Sequence, residues 1–346
     1  MRPPLESTEP GTVHDQGRWL GFVRTFLVTC FGTLATLLAL IFIVDPFDSG
    51  RSPISLISGT PDKDSRFAGA SHGRNPLFNA AIFGNSHGQA INPTRLSPQT
   101  GLKFAQMTVP GASPREQLAL IKWFARHHSP KSMKAVVLVI DDWWCTHDAA
   151  LPTLYEFPFW LYGQSYLNYL PKLLTTQAFD RAIRRVALGL GIAKIEHPAG
   201  FDDYEIGATW DFHPAPLTTS VTPERFDPSK LSHSFPAIDR LNLVLKEYLP
   251  SVPVIAVMPY VYITALPQPG SEKNADFANC KLAVANAINR HAKGYFIDLR
   301  IDAPLAHDPK NFMDLTHYRK SVAVNIEGKI ASALASVHKA EANSGH

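Results

Sequence analysis

The chain has 346 residues, 45% hydrophobic and 18% charged, so one large domain or two small ones with a sizeable core are expected. Its formal charge is only +3, and no dense Lys/Arg run occurs, which argues against a nucleic-acid-binding surface. The three cysteines form no C-x-x-C pair and the histidines show no H-x-x-x-H spacing, so we expect no metal and no cofactor.

The first 44 residues predict a flexible tail over 1–18 and a transmembrane helix over 19–44. From position 25 to position 44 no charge occurs for about 20 residues, the length that crosses a bilayer as a helix. A buried core helix fits less well, because the stretch is apolar on all sides. A cleaved signal peptide also fits less well, because no small-x-small cleavage site follows the stretch.

Charges on either side of this segment indicate its orientation. Asp45 and Asp48 follow it closely, whereas three arginines precede it or lie near its start: Arg2, Arg18 and Arg24. Since positive charge is retained on the cytoplasmic side, the bias favours an N-terminus inside and a main domain outside. In a bacterial cell this predicts a single-pass inner-membrane protein whose domain faces the periplasm. A domain facing the cytoplasm is the alternative.

The rest of the chain predicts a linker over 45–75, an α/β domain over 76–338 and a flexible tail over 339–346. Continuous apolar runs predict five buried strands, at 79–83, 102–109, 135–140, 252–258 and 294–299. Helical periodicity covers 115–127, 236–249, 276–292 and 318–334. This alternation predicts a five-stranded, parallel, doubly wound sheet of flavodoxin-like type.

The segment 143–235 interrupts the alternation and predicts a helical and loop insertion at the C-terminal edge of the sheet. Residues 177–190 within it predict a helix. Its arginines are predicted to lie on a solvated face, with lipid headgroups or an acidic polymer as alternative contacts: Arg181, Arg184 and Arg185. Cys145 and Cys280 can pair if the domain is exported, but two unrelated buried thiols explain the sequence equally well.

Two short segments carry the residue types for nucleophilic catalysis. The sequence GNSH at 84–87 follows the first predicted strand, and DLTH at 314–317 precedes the last helix. Since ligands bind at the C-terminal ends of parallel strands, both segments are expected at one edge. A serine hydroxyl needs a base, and the base needs an orienting acid. We therefore predict Ser86 as nucleophile, His317 as base and Asp314 as the acid.

Acyl transfer also needs donors that face the oxygen as it gains charge. The backbone N–H of Ser86 is one candidate. Gly111, in the tight turn that follows the second predicted strand, offers a second backbone N–H.

These segments resemble the SGNH (GDSL-type) hydrolase superfamily. GNSH at 84–87 is similar to its first block, VPGAS at 109–113 to its second, where a glycine contributes to the oxyanion hole, and DLTH at 314–317 to its last. The resemblance spans 79–334 but is carried by these short segments. Together with the membrane segment, it implies the branch that acts on cell-envelope polymers, similar to alginate O-acetyltransferase-like proteins.

One block departs from the family pattern. Where an asparagine usually donates to the oxyanion after the third strand, this chain has DDWW at 141–144, and an ionised carboxylate there would repel an oxyanion. Asn85 is a possible substitute donor. Five side chains are candidates for substrate contact, including stacking of a sugar ring on the tryptophans: His87, Asp141, Asp142, Trp143 and Trp144. Helix capping for His87 and core anchoring for the tryptophans are the alternatives.

The leading hypothesis is a membrane-anchored serine esterase or O-acyltransferase that acts on acyl esters of envelope glycans. Its partners would be the membrane, an envelope glycan or acyl donor, and a membrane protein that supplies acyl groups. The alternative is a non-catalytic envelope protein that keeps the fold as a binding or scaffold module. The DDWW departure is the main support for that alternative.

Overall fold

The computed structural model describes residues 13–54, 56–206, 211–214 and 234–344. Its centre is a parallel sheet of five strands: β1 (Ala80–Gly84), β2 (Phe104–Thr108), β3 (Ala135–Val139), β4 (Val254–Met258) and β5 (Gly294–Asp298). The strand order is β2-β1-β3-β4-β5, so the order reverses between β1 and β3. The predicted five-stranded parallel α/β sheet is confirmed.

Helices cover both faces of the sheet. Their bounds are α1 Val13–Val44, α2 Ser65–Arg74, α3 Pro93–Thr100, α4 Pro114–His127, α5 Phe159–Tyr162, α6 Tyr166–Tyr169, α7 Thr176–Gly189, α8 Pro236–Tyr248, α9 Glu272–Asn289, α10 Pro304–His307 and α11 Lys320–Ser344. Short 3-10 turns occur at Ser86–Gly88, Asp142–Cys145, Leu170–Leu174, Ile263–Ala265 and Pro309–Asn311.

Successive residues of each buried strand contribute to opposite core clusters. In β1, Phe83 packs into the cluster under α4 and α8, and Ile82 packs into the cluster under α3 and α11. This explains why the strands read as continuous apolar runs rather than alternating ones. Because all neighbouring strands pair in parallel, their C-termini meet at one edge of the sheet.

The predicted linker over 45–75 is wrong, because most of it belongs to the domain. Its start includes Phe47 and Asp48, which are 2% and 3% exposed. Its end forms α2, which Asp64 caps by accepting a hydrogen bond from the Arg66 N–H at 3.0 Å. Glycine allows α2 to pack closely, since a Cβ at Gly73 would lie 2.7 Å from the Trp123 ring.

The terminal boundaries also differ from those predicted. Helix α1 begins at Val13, inside the predicted tail, and positions 1–12 lie outside the described residues. Helix α11 continues to Ser344, so the tail predicted from position 339 is helical up to that residue. The part of α1 from Gly17 to Val44 is long and apolar enough to cross a membrane, and almost none of it is buried in the protein.

The described part of the insertion over 143–235 is joined to the domain core by buried side chains, among them Leu161, Tyr169 and Leu173. Its predicted helix at 177–190 is present as α7. The predicted solvated face of this helix is wrong for Arg185, which is 2% exposed and lies 3.1 Å from Asp48. Positions 207–210 and 215–233 of the insertion lie outside the described residues.

A disulfide joins Cys145, at the start of the insertion, to Cys280 in α9, with the two Cα atoms 5.5 Å apart. Of the two alternatives that the sequence left open, the structure therefore has the bonded pair. The remaining cysteine, Cys30, is free and exposed on α1.

Candidate active site

The turn after β1 exposes a serine at the edge of the sheet. Asn85 caps the 3-10 turn by accepting a hydrogen bond from the His87 N–H at 3.0 Å, and Ser86 is the first residue of that turn. Glycines on either side allow the turn to lie against β3. A Cβ at Gly84 would approach the Val139 Cβ to 2.9 Å, so a larger residue would push the serine away from the sheet.

Ser86, His317 and Asp314 are brought together as predicted. The Ser86 Oγ lies 2.8 Å from the His317 Nε2, and the His317 Nδ1 lies 2.7 Å from the Asp314 Oδ2. The serine and the histidine are 231 positions apart in the sequence. The sheet topology therefore brings the three residues predicted as nucleophile, base and orienting acid into one hydrogen-bonded line.

The acid of this line is fixed by its own turn. The Asp314 Oδ1 accepts hydrogen bonds from the backbone N–H of Thr316 at 2.7 Å and of His317 at 2.8 Å. Partial burial alone would raise the pKa of Asp314, but these two bonds and the His317 ring outweigh it and hold the pKa below its ordinary value. The carboxylate therefore stays charged and can hold the imidazole Nδ1–H.

Tyr318 supports both halves of the line and was not singled out from the sequence. It is 1% exposed, and its hydroxyl donates to the backbone carbonyl of His87 in the serine turn. Burial raises the pKa of Tyr318 well above its ordinary value, so the hydroxyl remains a donor. Neighbouring backbone bonds hold the histidine side, where Met313 N–H donates to the His317 carbonyl at 2.8 Å. No sequence signal separates this tyrosine from an ordinary core residue.

Asp141 has a bridging position. Its side chain is fully buried and accepts hydrogen bonds from the Asn85 amide and from the Trp143 N–H at 3.2 Å. The His87 Nδ1 lies 3.2 Å from the same carboxylate. Asp141 thus ties the turn after β3 to the serine turn after β1, and direct substrate contact, one of the predictions, is excluded by its burial in this conformation.

The same contacts bear on Asn85 and His87. The Asn85 side chain is 4% exposed and uses its oxygen for the turn and one N–H for Asp141, which leaves one N–H as a donor. The His87 ring lies with its centroid 5.0 Å from that of His317. Its place beside the base agrees with a role in packing the site wall.

The remaining residues of the DDWW segment differ in their exposure and in their contacts. Trp144 is 1% exposed, and its indole N–H points to the Gln117 side chain at 3.3 Å, so its predicted substrate contact is wrong and core anchoring holds. Trp143 is 39% exposed and remains available for stacking. Asp142 is paired with the buried guanidinium of Arg300.

A cleft of about 870 Å³ lies between the loops that follow β4 and β5 and reaches Leu315 of the triad segment. Its walls are mostly apolar, with Ile263, Phe277 and Ile301 among them. Arg300 borders the cleft, and its buried Nη2 atom has no hydrogen-bond partner among the described residues. Among the described lining residues, Leu315 is the one that belongs to the DLTH segment, and Ser86, Asp314 and His317 do not line this cleft.

Gly111 occupies the turn after β2 with a φ of +68°, a conformation that favours glycine. A Cβ there would also lie 2.5 Å from the Tyr155 ring. Neither the Gly111 N–H nor the Ser86 N–H donates a hydrogen bond to another residue in the described ranges. Both groups therefore lack a protein acceptor in those ranges, and their role as oxyanion donors stays a prediction. The described residues contain no cluster of His, Cys, Asp and Glu that could hold a metal ion.

Two comparisons complete the description of the site. No model of a known protein family matches the chain, and no curated protein sequence matches it either.

Proposed function

We propose that the protein is a membrane-anchored serine esterase or O-acyltransferase of SGNH type that acts on acyl esters of cell-envelope glycans. The observation that carries the proposal is the line of two hydrogen bonds from Ser86 through His317 to Asp314, at 2.8 and 2.7 Å. This line supplies the base and the orienting acid that a serine hydroxyl needs near neutral pH.

In the first half-reaction, the Ser86 Oγ attacks the acyl carbonyl carbon while its proton passes to the His317 Nε2. Asp314 stabilises the imidazolium that forms. The N–H groups of Ser86 and Gly111 donate to the oxyanion of the tetrahedral intermediate. When the intermediate collapses, the ester C–O bond breaks, His317 returns the proton to the departing alcohol oxygen, and the acyl group remains on Ser86.

In the second half-reaction, water or a sugar hydroxyl attacks the acyl-serine. His317 takes the proton of the acceptor and then returns it to the Ser86 Oγ as the acyl group leaves. Hydrolysis and transfer differ only in the acceptor that reaches the serine and in the exclusion of water. The apolar walls of the cleft and the partly exposed Trp143 suit a sugar ring that carries an acyl group.

The proposed location is the inner membrane, with α1 as a single anchor and the domain on the outer side. The Cys145–Cys280 disulfide supports this location, because disulfides persist in oxidising compartments such as the periplasm. The proposed partners are an envelope glycan or acyl donor and a membrane protein that supplies acyl groups. A reporter enzyme fused to the C-terminus, active in one compartment only, tests the orientation.

A serine-reactive fluorophosphonate tests the activity on the full chain in detergent. We expect labelling of the unmodified protein and of Ser332→Ala, a control on the exposed face of α11, and no labelling of Ser86→Ala. Labelling that persists in Ser86→Ala would show that another residue is the nucleophile. A folded chain that neither reacts with the probe nor cleaves esters would favour the non-catalytic binding or scaffold alternative.

A further inference from the structure

Helix α7 carries an apolar stripe on its outer surface. Three residues of the helix and the residue that caps its C-terminus, at spacings of four, three and four, form this stripe, which we call the α7 face: Phe179, Ile183, Val186 and Leu190. They are 50%, 55%, 41% and 70% exposed. An amphipathic helix at the surface of a soluble domain turns its apolar stripe toward the core, so α7 has the opposite arrangement.

Buried polar contacts hold α7 in this orientation. Arg185 donates to the backbone carbonyls of Val44 at 3.2 Å and Ile57 at 2.6 Å, and it pairs with Asp48. Arg181, one turn earlier, forms an ion pair with Asp62. Turning the apolar stripe inward would break these contacts and leave charged groups buried without partners. The outward position of the stripe is therefore built into the fold.

Helix α7, which carries the α7 face, packs next to the end of α1. The Arg185 bond to Val44 joins α7 to the last residue of α1, and Leu38 and Phe42 in the final turns of α1 pack against the domain core. The uncharged stretch of α1 ends at this same residue. Helix α7 is thus held at the part of α1 where a bilayer-spanning segment would leave the hydrocarbon, with the α7 face on its exposed side.

Nearby residues widen the apolar surface and add basic groups. Leu167 on α6 is 85% exposed, Leu174 is 44% exposed and Ile192 is 77% exposed. Lys172 and Lys194 are exposed in the same part of the chain. Apolar side chains flanked by lysines are typical of helices that lie in the membrane interface, where the lysines meet lipid phosphates.

We propose that the α7 face lies in the boundary between headgroups and acyl chains of the bilayer that α1 crosses. This inference rests on the membrane span of the proposed function. The bilayer is the occupant because the helix that carries the face packs at the end of α1, where the apolar span ends. The domain would then have two membrane contacts, a span and an interfacial helix, which together fix its tilt relative to the membrane.

Depth-dependent fluorescence quenching tests this proposal on the full chain in phosphatidylcholine vesicles. Cys30→Ser removes the free thiol and leaves the disulfide intact. An environment-sensitive dye is then attached through one new cysteine at a time: Ile183→Cys, Leu190→Cys, Val324→Cys or Leu34→Cys. Val324 is the matched control, because it is 47% exposed and lies on α11, on the opposite face of the sheet. Leu34 reports the span itself.

Lipids with a nitroxide near the top of the acyl chain should quench the dyes at positions 183 and 190 at least about twofold more than the dye at position 324, because interfacial helices insert about 5–10 Å. Quenching at position 34 with none at 183 and 190 would overturn the inference and leave the span intact. No quenching at position 34 would overturn both. A third result is possible at position 183: the dye is protected from an aqueous quencher, this protection increases with the protein density in the vesicles, and the lipid nitroxide does not quench. This result would show that a second copy covers the face, and it would also overturn the inference.

Discussion

Two polar clusters of this protein differ in the solvent exposure of their side chains. In the triad, the side chains of His317 and Asp314 are 30% and 52% exposed. In the cluster at the foot of α1, which we call the anchor cluster (Asp48, Arg74 and Arg185), the side chains of Asp48 and Arg185 are 4% and 3% exposed. The first cluster is partly open to solvent and the second is buried.

The buried cluster also has more hydrogen-bond partners than the exposed one. The Asp48 carboxylate accepts from the Ser71 hydroxyl at 2.6 Å and the Gly59 N–H at 3.0 Å, and it also pairs with both arginines. Ser86 has a single partner in the triad, the His317 ring. Groups that hold the fold are buried and fully bonded, whereas groups proposed to react keep bonding capacity for a substrate. The two clusters should therefore respond differently to substitution.

The largest expected effect is on activity alone. Ser86→Ala should lower the rate of ester cleavage at least about 10³-fold, because the triad residues act as a unit. The hydroxyl makes no contact within the core, so the free energy of unfolding should change by less than about 0.5 kcal/mol. Turnover of a chromogenic acetyl ester and urea unfolding measure the two quantities. If Ser86→Ala lowered the free energy of unfolding as well as the rate of ester cleavage, the proposed difference between the two clusters would be contradicted.

The reverse pattern is expected in the anchor cluster. Asp48→Ala should lower the free energy of unfolding by about 3–5 kcal/mol, because it leaves two arginines partly or fully buried without their shared partner. Activity per folded molecule should stay close to that of the unmodified protein. Asp180→Ala, which removes an exposed pair with Arg184 on α7, is the control and should change stability by less than about 1 kcal/mol.

Acid should weaken the anchor side of the protein through His72, which neighbours Ser71 in α2. Burial lowers the pKa of His72 to about 4, so between its unfolded pKa of about 6.5 and this value the unfolded chain binds more protons. Stability should therefore fall as the pH drops through this window, by about 3 kcal/mol in total. The free energy of unfolding, measured at several pH values in this window, should depend less steeply on pH in His72→Gln than in the unmodified protein. An equal slope in both proteins would contradict the assignment.

The smallest expected effect is that of Trp143, which can be compared with its buried neighbour Trp144. Trp143→Ala should change the free energy of unfolding by less than about 1 kcal/mol, because the side chain is 39% exposed. Trp144→Ala, the buried counterpart, should cost about 3–5 kcal/mol. If Trp143 stacks on the substrate, its variant should raise KM with little change in kcat. A stability loss in Trp143→Ala as large as that in Trp144→Ala would contradict the separation of the two rings.

The sheet and the triad segments were accessible from the sequence for a simple physical reason. Strands buried on both faces are continuous apolar runs, and the order of loops along a parallel sheet follows from the chain direction. Ser86 and His317 could therefore be assigned to one edge, and they lie 2.8 Å apart. Their catalytic roles remain a proposal that labelling tests.

Helix α2 and the buried arginines were missed because their signals depend on tertiary contacts. The α2 sequence contains two glycines and two serines, residues with weak helix propensity. Gly73 allows close packing on Trp123, and Gly69 allows close packing on Tyr162. Arg185 was assigned to the surface because charged residues rarely lack solvent. Asp141 is held by groups 54 and 56 positions away, a pairing that no local pattern records.

The disulfide has a consequence for how the chain is made. Its cysteines are 135 positions apart. If the chain is exported in the order of its sequence, Cys145 crosses the membrane before Cys280 and remains a free thiol until α9 has also crossed. The only other cysteine, Cys30, lies on α1 and in the proposed topology is inside the bilayer, where thiolates do not form readily. Membrane insertion would thus remove the one competing thiol, and the correct pair would form without isomerisation.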